Sequence, residues 1–445
     1  MTITLEDLRT EVEAGRIDTV LLAITDMQGR LQGKRMVAQH FVDDIAEEGA
    51  EGCNYLLAVD VEMNTVEGYD LASWAGGYGD FQMIPDLDTL RLVPWQPGTA
   101  VCLADVRWGD GTDVAPSPRQ VLRKQLDRLA ERGWTCNAAT ELEFMVFRTG
   151  YEDAWKQAYR DLVPANLYNV DYSILGTARV EPLLRRIRNE MLAAGMPVED
   201  SKGECNLGQH EINIRYGHAL TSADQHVIYK NGSKEIAAQE DMAITFMAKF
   251  DQREGSSCHI HCSLADAKTG KNVFAQDEAL FHAFVAGQQA HLEELTMLFA
   301  PNVNSYKRYA AGSFAPTAIA WGNDNRSCAL RVVGHGEGLR VENRVPGADV
   351  NPYLALAATI AAGLDGIDRK LELGPPMTGN AYEADVPQVP KSLFAARELF
   401  VGSALAQEAF GAEVVDHYAN MARVELEAFG AAVTDWERFR GFERM

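Results

Sequence analysis

The sequence predicts an α+β protein in two parts: a small α+β domain over residues 1–112 and a catalytic domain over residues 113–445 on a mostly antiparallel sheet. Three observations lead there. The chain has 445 residues, 47% of them hydrophobic, enough for one large core plus a smaller domain. Gly, Asp and Pro cluster in "WGDGTDVAPSPRQ", residues 108–120, between two periodic stretches. Beyond that seam, strand-like runs alternate with long helical patterns.

The elements follow in order. "MTITLEDLRTEVEAGRIDTV" is acidic and amphipathic, with a Thr4–Asp7 capping box. "IDTVLLAITDMQGRLQGKRMVA" reads as strand, Gly-containing turn, strand, "FVDDIAEEG" as a short helix and "TAVCLADVRW" as a strand. "GRLQGKR" resembles a phosphate-binding loop but is one residue short between its glycines and lacks the Ser or Thr that holds magnesium. It reads as a hairpin turn carrying basic residues. After the seam, "SPRQVLRKQLDRLAERG" is a helix with Pro118 near its start and Gly133 as its stop. "CNAATELEFMVF", "GQHEINIRY", "SCHIHCSLAD" and "CALRVVG" read as strands, "RVEPLLRRIRNEMLAAG" and "LFHAFVAGQQAHLEELTMLFA" as helices.

Composition narrows the function. A net charge of −23 disfavours nucleic acid as a partner, because phosphate backbones attract basic faces. It suits a cationic small substrate, although most of these carboxylates are a solvated surface. Seven irregularly spaced cysteines argue against a disulfide framework and for a reducing compartment. No basic and apolar leader opens the chain, and the longest apolar run, "YLALAATIAAGL", is too short to span a bilayer. A cytoplasmic protein without a membrane partner is expected, in which the N-x-[ST] matches at Asn231 and Asn325 are not glycosylated.

The chemistry sits on strands. In "CHIHC", residues 258–262, alternation puts His259 and His261 on one face and Cys258, Ile260 and Cys262 on the other. No C-x2-C pair occurs, which argues against a zinc cluster. Glu141 and Glu143 share one face of an apolar strand. Glu204 and Glu211 flank the next one, and Arg340, Glu342 and Arg344 recur at period two. A single strand glutamate is usually just exposed, but buried together such carboxylates need cations. Five glutamates and a histidine are mostly hard oxygen ligands, suited to Mg2+ or Mn2+ and numerous enough for two sites. Lys307, Arg308, Arg326, Arg331, Arg340 and Arg344 add the cationic groups that phosphoryl transfer from a nucleotide requires. The reading is a metal- and ATP-dependent enzyme without a P-loop.

With "ELEF", "GECNLGQHE", "HIHCSL", "NSYKR", "NRSCALR" and "RVENRVPGADVNPYLALAA" in this order, the chain closely resembles the glutamine synthetase family. The resemblance implies an N-terminal β-grasp domain, a catalytic domain with a curved antiparallel sheet, and a homo-oligomer of two stacked hexameric rings, a dodecamer with active sites between neighbours. It implies ATP-dependent activation of glutamate as γ-glutamyl phosphate, with one metal on Glu143, Glu204 and Glu211 and a second on Glu141, His259 and Glu342. Gly255, Arg308, Arg326 and Arg344 would bind glutamate. Glu199, His261, Ser263, Arg331 and Arg340 would contact ATP, and Arg326 and Glu211 would be the catalytic pair.

The departures concern the nitrogen donor. The family's D-G-S-S stretch, whose aspartate helps bind ammonium, is missing from "NYLLAVDVEMNTVEGYDLASWAGGYGDFQMIPD". The family's glutamate that takes the ammonium proton is replaced by Phe314, and Glu254 stands where the family has Asn. Tyr382 lies near where some relatives are adenylylated, in different surroundings. An aromatic wall at Phe314 suits an alkylamine and disfavours a desolvated ammonium ion. The expected acceptor is therefore a small primary amine such as ethanolamine, with Phe314, Asp60 and Glu62 in the amine pocket. Glu67 and Asp70 are further candidates for a distal ammonium, and Tyr69, Trp74 or Tyr78 for a hydroxyl or the carbon chain. A polyamine ligase such as one for putrescine comes second, then an ammonium-using glutamine synthetase. A non-catalytic scaffold is opposed by six metal-binding side chains it would not need.

Overall fold

In the computed structural model, residues 2–310 and 312–445 are described. Two sheets organise the chain. The first contains β1 (Thr19–Thr25), β2 (Leu31–Val37), β3 (Ala50–Cys53), β4 (Asp80–Pro85), β5 (Arg91–Leu92) and β6 (Thr99–Arg107). Its order is β2-β1-β6-β4-β3, with β5 also on β6; β1 and β6 run parallel and the other pairs antiparallel. The expected Thr4–Asp7 capping box closes the N-terminus of helix Leu5–Glu13. "GRLQGKR" is indeed a hairpin. Gly29 takes φ +77° in the turn, buried Asp26 accepts from the Gln28 and Arg30 amides, and Lys34 and Arg35 are exposed on β2.

The second sheet contains β7 (Trp134–Phe147), β8 (Val198–Gly203), β9 (Gln209–Ile214), β10 (Gly217–His218), β11 (Ala243–Thr245), β12 (Cys258–Asp266), β13 (Trp321–Asn323), β14 (Leu330–Val333) and β15 (Arg340–Asn343). Its order is β13-β14-β15-β12-β7-β9-β8, with β10 and β11 also on β7, and only β13–β14 is parallel. One face of the central strands packs on the core through Cys136, Leu142, Ile260 and Cys262. The other face carries the polar residues considered below, as alternation along each strand requires.

Helices back this sheet. Pro118–Ala130 begins with its proline in the first turn; behind it Pro352–Asp368 and Glu278–Phe299 pack on each other, and Ala219–Gln239 packs on Pro352–Asp368 and on Pro118–Ala130. Glycines let Pro352–Asp368 and Glu278–Phe299 approach closely: a Cβ on Gly287 would lie 2.1 Å from the Ala362 carbonyl oxygen. "YLALAATIAAGL" is thus a buried core helix, and among the described residues no helix is long and apolar enough to cross a membrane.

The apolar core is continuous from Leu8 to Ala422, so the two sheets share it across the 108–120 seam. A buried guanidinium bridges the join. Arg119 reaches Asp86 at 2.7 Å and Asp105 at 2.6 Å on the first-sheet side, and Asp224 on helix Ala219–Gln239 at 3.0 Å.

Candidate active site

Strand register builds the polar face. His259 on β12 lies opposite Glu141 on β7, and His261 lies opposite Glu342 on β15. On the other side of β7, Glu143 lies opposite Glu211, and Glu211 opposite Lys202 on β8. Two groups of ligand-type atoms result, Glu141/His259/Glu342 and Glu143/Glu204/Glu211, each with its atoms within 4.8 Å of one another. These are the two trios that the family resemblance paired. The cysteines of "CHIHC" face away: Cys258 and Cys262 are buried, Cys262 Sγ lies 3.4 Å from Cys136 Sγ, and all seven cysteines are free.

The first group is held by a network. Glu141 accepts from His261 Nε2 at 2.8 Å and meets His259 Nδ1 at 3.2 Å. Arg340 Nε donates to His261 Nδ1 at 3.1 Å, so the His261 proton sits on Nε2 and points at Glu141. Glu342 is fully buried and pairs with Arg331 at 2.7 Å and with Arg344. Burial opposes its charge, but His259 and Arg344 outweigh that and hold the carboxyl below its usual range. For Glu141, burial is likewise outweighed by the hydrogen bonds of His259 and His261, again lowering the pKa. Burial, then the Arg344 charge, lowers the pKa of His259 against the pull of Glu141 and Glu342.

The second group is more acidic. Glu143 accepts from the Ser257 amide at 2.7 Å and from Gln209 Nε2 at 2.9 Å. Burial, offset in part by the Lys202 ammonium and reinforced by Glu143 and Glu141, pushes the Glu211 carboxyl up to about 8. Five carboxylates and one imidazole are a donor set for hard divalent cations, and the residues fit Mg2+ or Mn2+ at both groups.

Both groups except the buried Glu342 line one cleft of about 430 Å3, with Gly255, Phe314, Arg326, Arg331 and Arg344 also at its walls. A second cleft, of about 490 Å3, is lined by Glu199, His261, Ser263, Arg340 and Asn137. Glu141 and Asn213 border both. Arg326 is exposed and, among the described residues, makes no ion pair. Gly255 is required where it stands: a Cβ there would lie 2.3 Å from the Ala248 carbonyl oxygen and 2.8 Å from Arg308 Cγ.

Some expected site residues lie elsewhere. Arg308 does not line the cleft. It is buried beneath Gly255, donating to the Val345 and Arg344 carbonyls and to Ser257 Oγ, because the polypeptide passes over it and spends its donors on main chain. Arg331 lines the first cleft rather than the one with Glu199 and Ser263, because it pairs with Glu342 and Asp324. Asp60 and Glu62 line neither cleft of their own chain; Asp60 caps a turn, accepting from the Glu62 and Asn64 amides. Tyr69 is buried against His417, and Trp74 is exposed. Asp171, Tyr172 and Lys202 line the cleft without having been singled out from the sequence. Only Lys202 carried a signal, standing two residues before Glu204 in "KGE" and therefore facing the same way.

This architecture has known counterparts. The catalytic domain of glutamine synthetase matches residues 115–440, and the chain belongs to the glutamine synthetase family. Within it, the gamma-glutamylethanolamide synthetase of Streptomyces coelicolor is 62% identical over 443 residues, covering 99% of this chain and 96% of that protein. The glutamate–isopropylamine ligase of a Pseudomonas species is 38% identical over 445 residues, covering 97% and 96%. Among solved structures, the GmaS/ADP complex covers 100% of both chains with a TM-score of 0.86 at 27% identity.

Proposed function

We propose that this chain is an ATP-dependent glutamate–amine ligase that joins the γ-carboxyl of glutamate to a small primary amine, with ethanolamine preferred. The observation that carries the reading is the pair of clefts meeting at Glu141: one suited to a nucleotide, the other lined by members of both carboxylate groups, Arg326, Arg344 and an apolar rim at Phe314. The relatives that act on ethanolamine, isopropylamine and, at 31% identity, methylamine support an amine acceptor.

The chemistry has two steps. The glutamate γ-carboxylate attacks the γ-phosphorus of ATP, giving γ-glutamyl phosphate and ADP. The neutral amine then adds to the acyl carbon, the C–O bond to phosphate breaks, and the amide and phosphate leave with one proton released. Glu143, Glu204 and Glu211, and Glu141, His259 and Glu342, would hold Mg2+ or Mn2+, which would supply the positive charge that phosphate and carboxylate need. Arg344 and the Gly255 backbone orient glutamate, with Arg308 supporting that floor from below. Arg326 is free to fold its planar fork onto the moving phosphoryl group, and Arg331 faces it from the Glu342 side. Glu199, His261, Ser263 and Arg340 hold the nucleotide. Glu211, ionised once a bound cation offsets its burial, would stabilise the cationic character of the entering amine.

Phe314 decides the acceptor. It lines the cleft beside Ser313 with φ +55°, a backbone region bulky residues rarely occupy, and its ring is 59% exposed. A ring held there packs against carbon, whereas ammonium has none to offer. Asp60 and Glu62 would reach the amine end only from a neighbouring copy, which accords with a dodecamer of two stacked rings. We read residues 1–112 as the first domain and 113–445 as the catalytic domain, a division that the turn leading into helix Pro118–Ala130 supports. The seven free cysteines support a reaction in the cytoplasm, and the acidic net charge supports one without nucleic acid.

The test is kcat/KM for ammonium, ethanolamine, putrescine and spermidine at the same ATP and glutamate. Ethanolamine ahead of the others is expected. A clear lead for ammonium makes this an ordinary glutamine synthetase and ends the Phe314 argument.

A further inference from the structure

We infer that Lys202 is a built-in counter-cation of the Glu143/Glu204/Glu211 group, competing with the divalent cation for Glu204 and Glu211 and so setting that cation's affinity. The inference rests on the metal reading above and concerns a residue which that reading leaves without a role.

Backbone geometry puts the ammonium there. Lys202 and Glu211 are direct cross-strand neighbours on β8 and β9, so their side chains stand on the same face. Glu204 follows Lys202 by two residues and its amide donates to the Gln209 carbonyl at 2.9 Å, continuing the ladder past β8. Glu143 stands opposite Glu211 on β7. The result is a row of three strands carrying Lys202, Glu211 and Glu143, with Glu204 alongside.

Contacts follow the geometry. Lys202 Nζ pairs with Glu204 and lies 3.6 Å from Glu211, so two of the three carboxylates already have a cation. The Tyr172 ring lies 5.1 Å from the ammonium, offering its π face as a second resting place inside the same cleft. With Glu211 deprotonated, as ligation of a cation requires, three carboxylates against one ammonium leave two negative charges, which one divalent cation cancels. Without the lysine, the same cation would meet three.

A cation entering this group must break or share the lysine's ion pairs, and its binding is weakened accordingly. Lysine suits the task because its charge sits on a long flexible stem that can swing toward Tyr172 without moving the strand. The expected benefit is exchange: a group of three uncompensated, largely buried carboxylates would trap the cation, whereas a tethered competitor allows it to leave with the products.

The experiment is calorimetric titration of Mn2+ into metal-stripped full-length protein without nucleotide, comparing wild type with K202M, K202Q and K202R. Thermal melts of each variant establish that it is folded. The inference expects roughly tenfold tighter Mn2+ binding in K202M and K202Q at one of two sites, the other unchanged, and K202R close to wild type. It also expects a larger Mn2+-induced rise in Tm for K202M than for wild type. Equal or weaker binding by a folded K202M or K202Q overturns it, as does equal tightening at both sites, which would be a general field effect. Wild-type protein that binds no Mn2+ at all would overturn the metal reading itself, a result distinct from either.

Discussion

Glu342→Gln tests the site at its most buried point. Glu342 is fully buried and accepts from Arg331 at 2.7 Å and from Arg344, with His259 Nδ1 at 3.5 Å. Glutamine keeps the shape but has one acceptor oxygen where the carboxylate has two. One guanidinium therefore keeps a neutral, weaker bond while the other faces an amide NH2, donor against donor. Hydrogen bonds to charged groups contribute about 1.5–3 kcal/mol each, and unpairing a buried charge costs about 3–5 kcal/mol. Arg331 retains Asp324, so the loss falls mainly on Arg344, and about 3 kcal/mol of stability is the expected cost. Catalysis suffers separately, because Arg344 loses its anchor and the Glu141/His259/Glu342 group loses half its negative charge. Removing one such preorganised electrostatic contact lowers kcat by about 100- to 1,000-fold. Steady-state ligation with ethanolamine, alongside thermal melts, reads both effects. A variant with kcat within tenfold of wild type would refute the assignment of Glu342, whatever its Tm.

Three further outcomes are expected. Arg326→Lys should lower kcat far more than it raises KM, since a point charge cannot replace a two-pronged fork on a moving phosphoryl group; a raised KM at unchanged kcat would make Arg326 a ground-state binder. Phe314→Glu should lower kcat/KM for ethanolamine by at least about tenfold and raise the ratio of ammonium to ethanolamine turnover, and an unchanged ratio counts against the rim. Stability should fall with acid because His210 and His417 are buried with pKa lowered to about 4 and about 3, mainly by burial. Below their unfolded pKa near 6.5 the unfolded chain binds protons that the folded chain refuses, a loss of about 2 kcal/mol per histidine by pH 5. Urea midpoints that do not change between pH 7 and pH 5 would contradict this.

Legibility followed the type of signal. The hairpin at Gly29, the helix begun by Pro118 and the strands with glutamates at period two declare themselves through local turn chemistry or alternation. Helix Ala219–Gln239 does not, because it is buried on nearly all sides and shows no apolar stripe. Glu141, Glu143, His259 and Glu342 were found because carboxylates and imidazoles are anomalous on apolar strands. The burial of Arg308 is less legible: a motif says that an arginine is present, but which groups its five donors meet depends on main chain folded over it from Val345 and Arg344. Asp60 and Glu62 could not be placed by composition, since acidic residues on a turn look alike whether they face a cleft or water.

The two oxygens of Glu141 face different clients. Oε2 meets His259 on the cleft with the carboxylate groups, while Oε1 accepts from His261, whose ring lines the cleft with Glu199. A carboxylate is a rigid plane, so rotating it to improve one contact worsens or improves the other in a fixed proportion. Whatever occupies one cleft and repositions Glu141 therefore changes the welcome offered in the other, and the change is mutual by thermodynamic necessity. A nucleotide in one cleft and a divalent cation in the other would therefore bind as partners rather than as independent guests, and departure of one would loosen the other. A side chain in the shared wall would thus couple the two clefts without any moving domain.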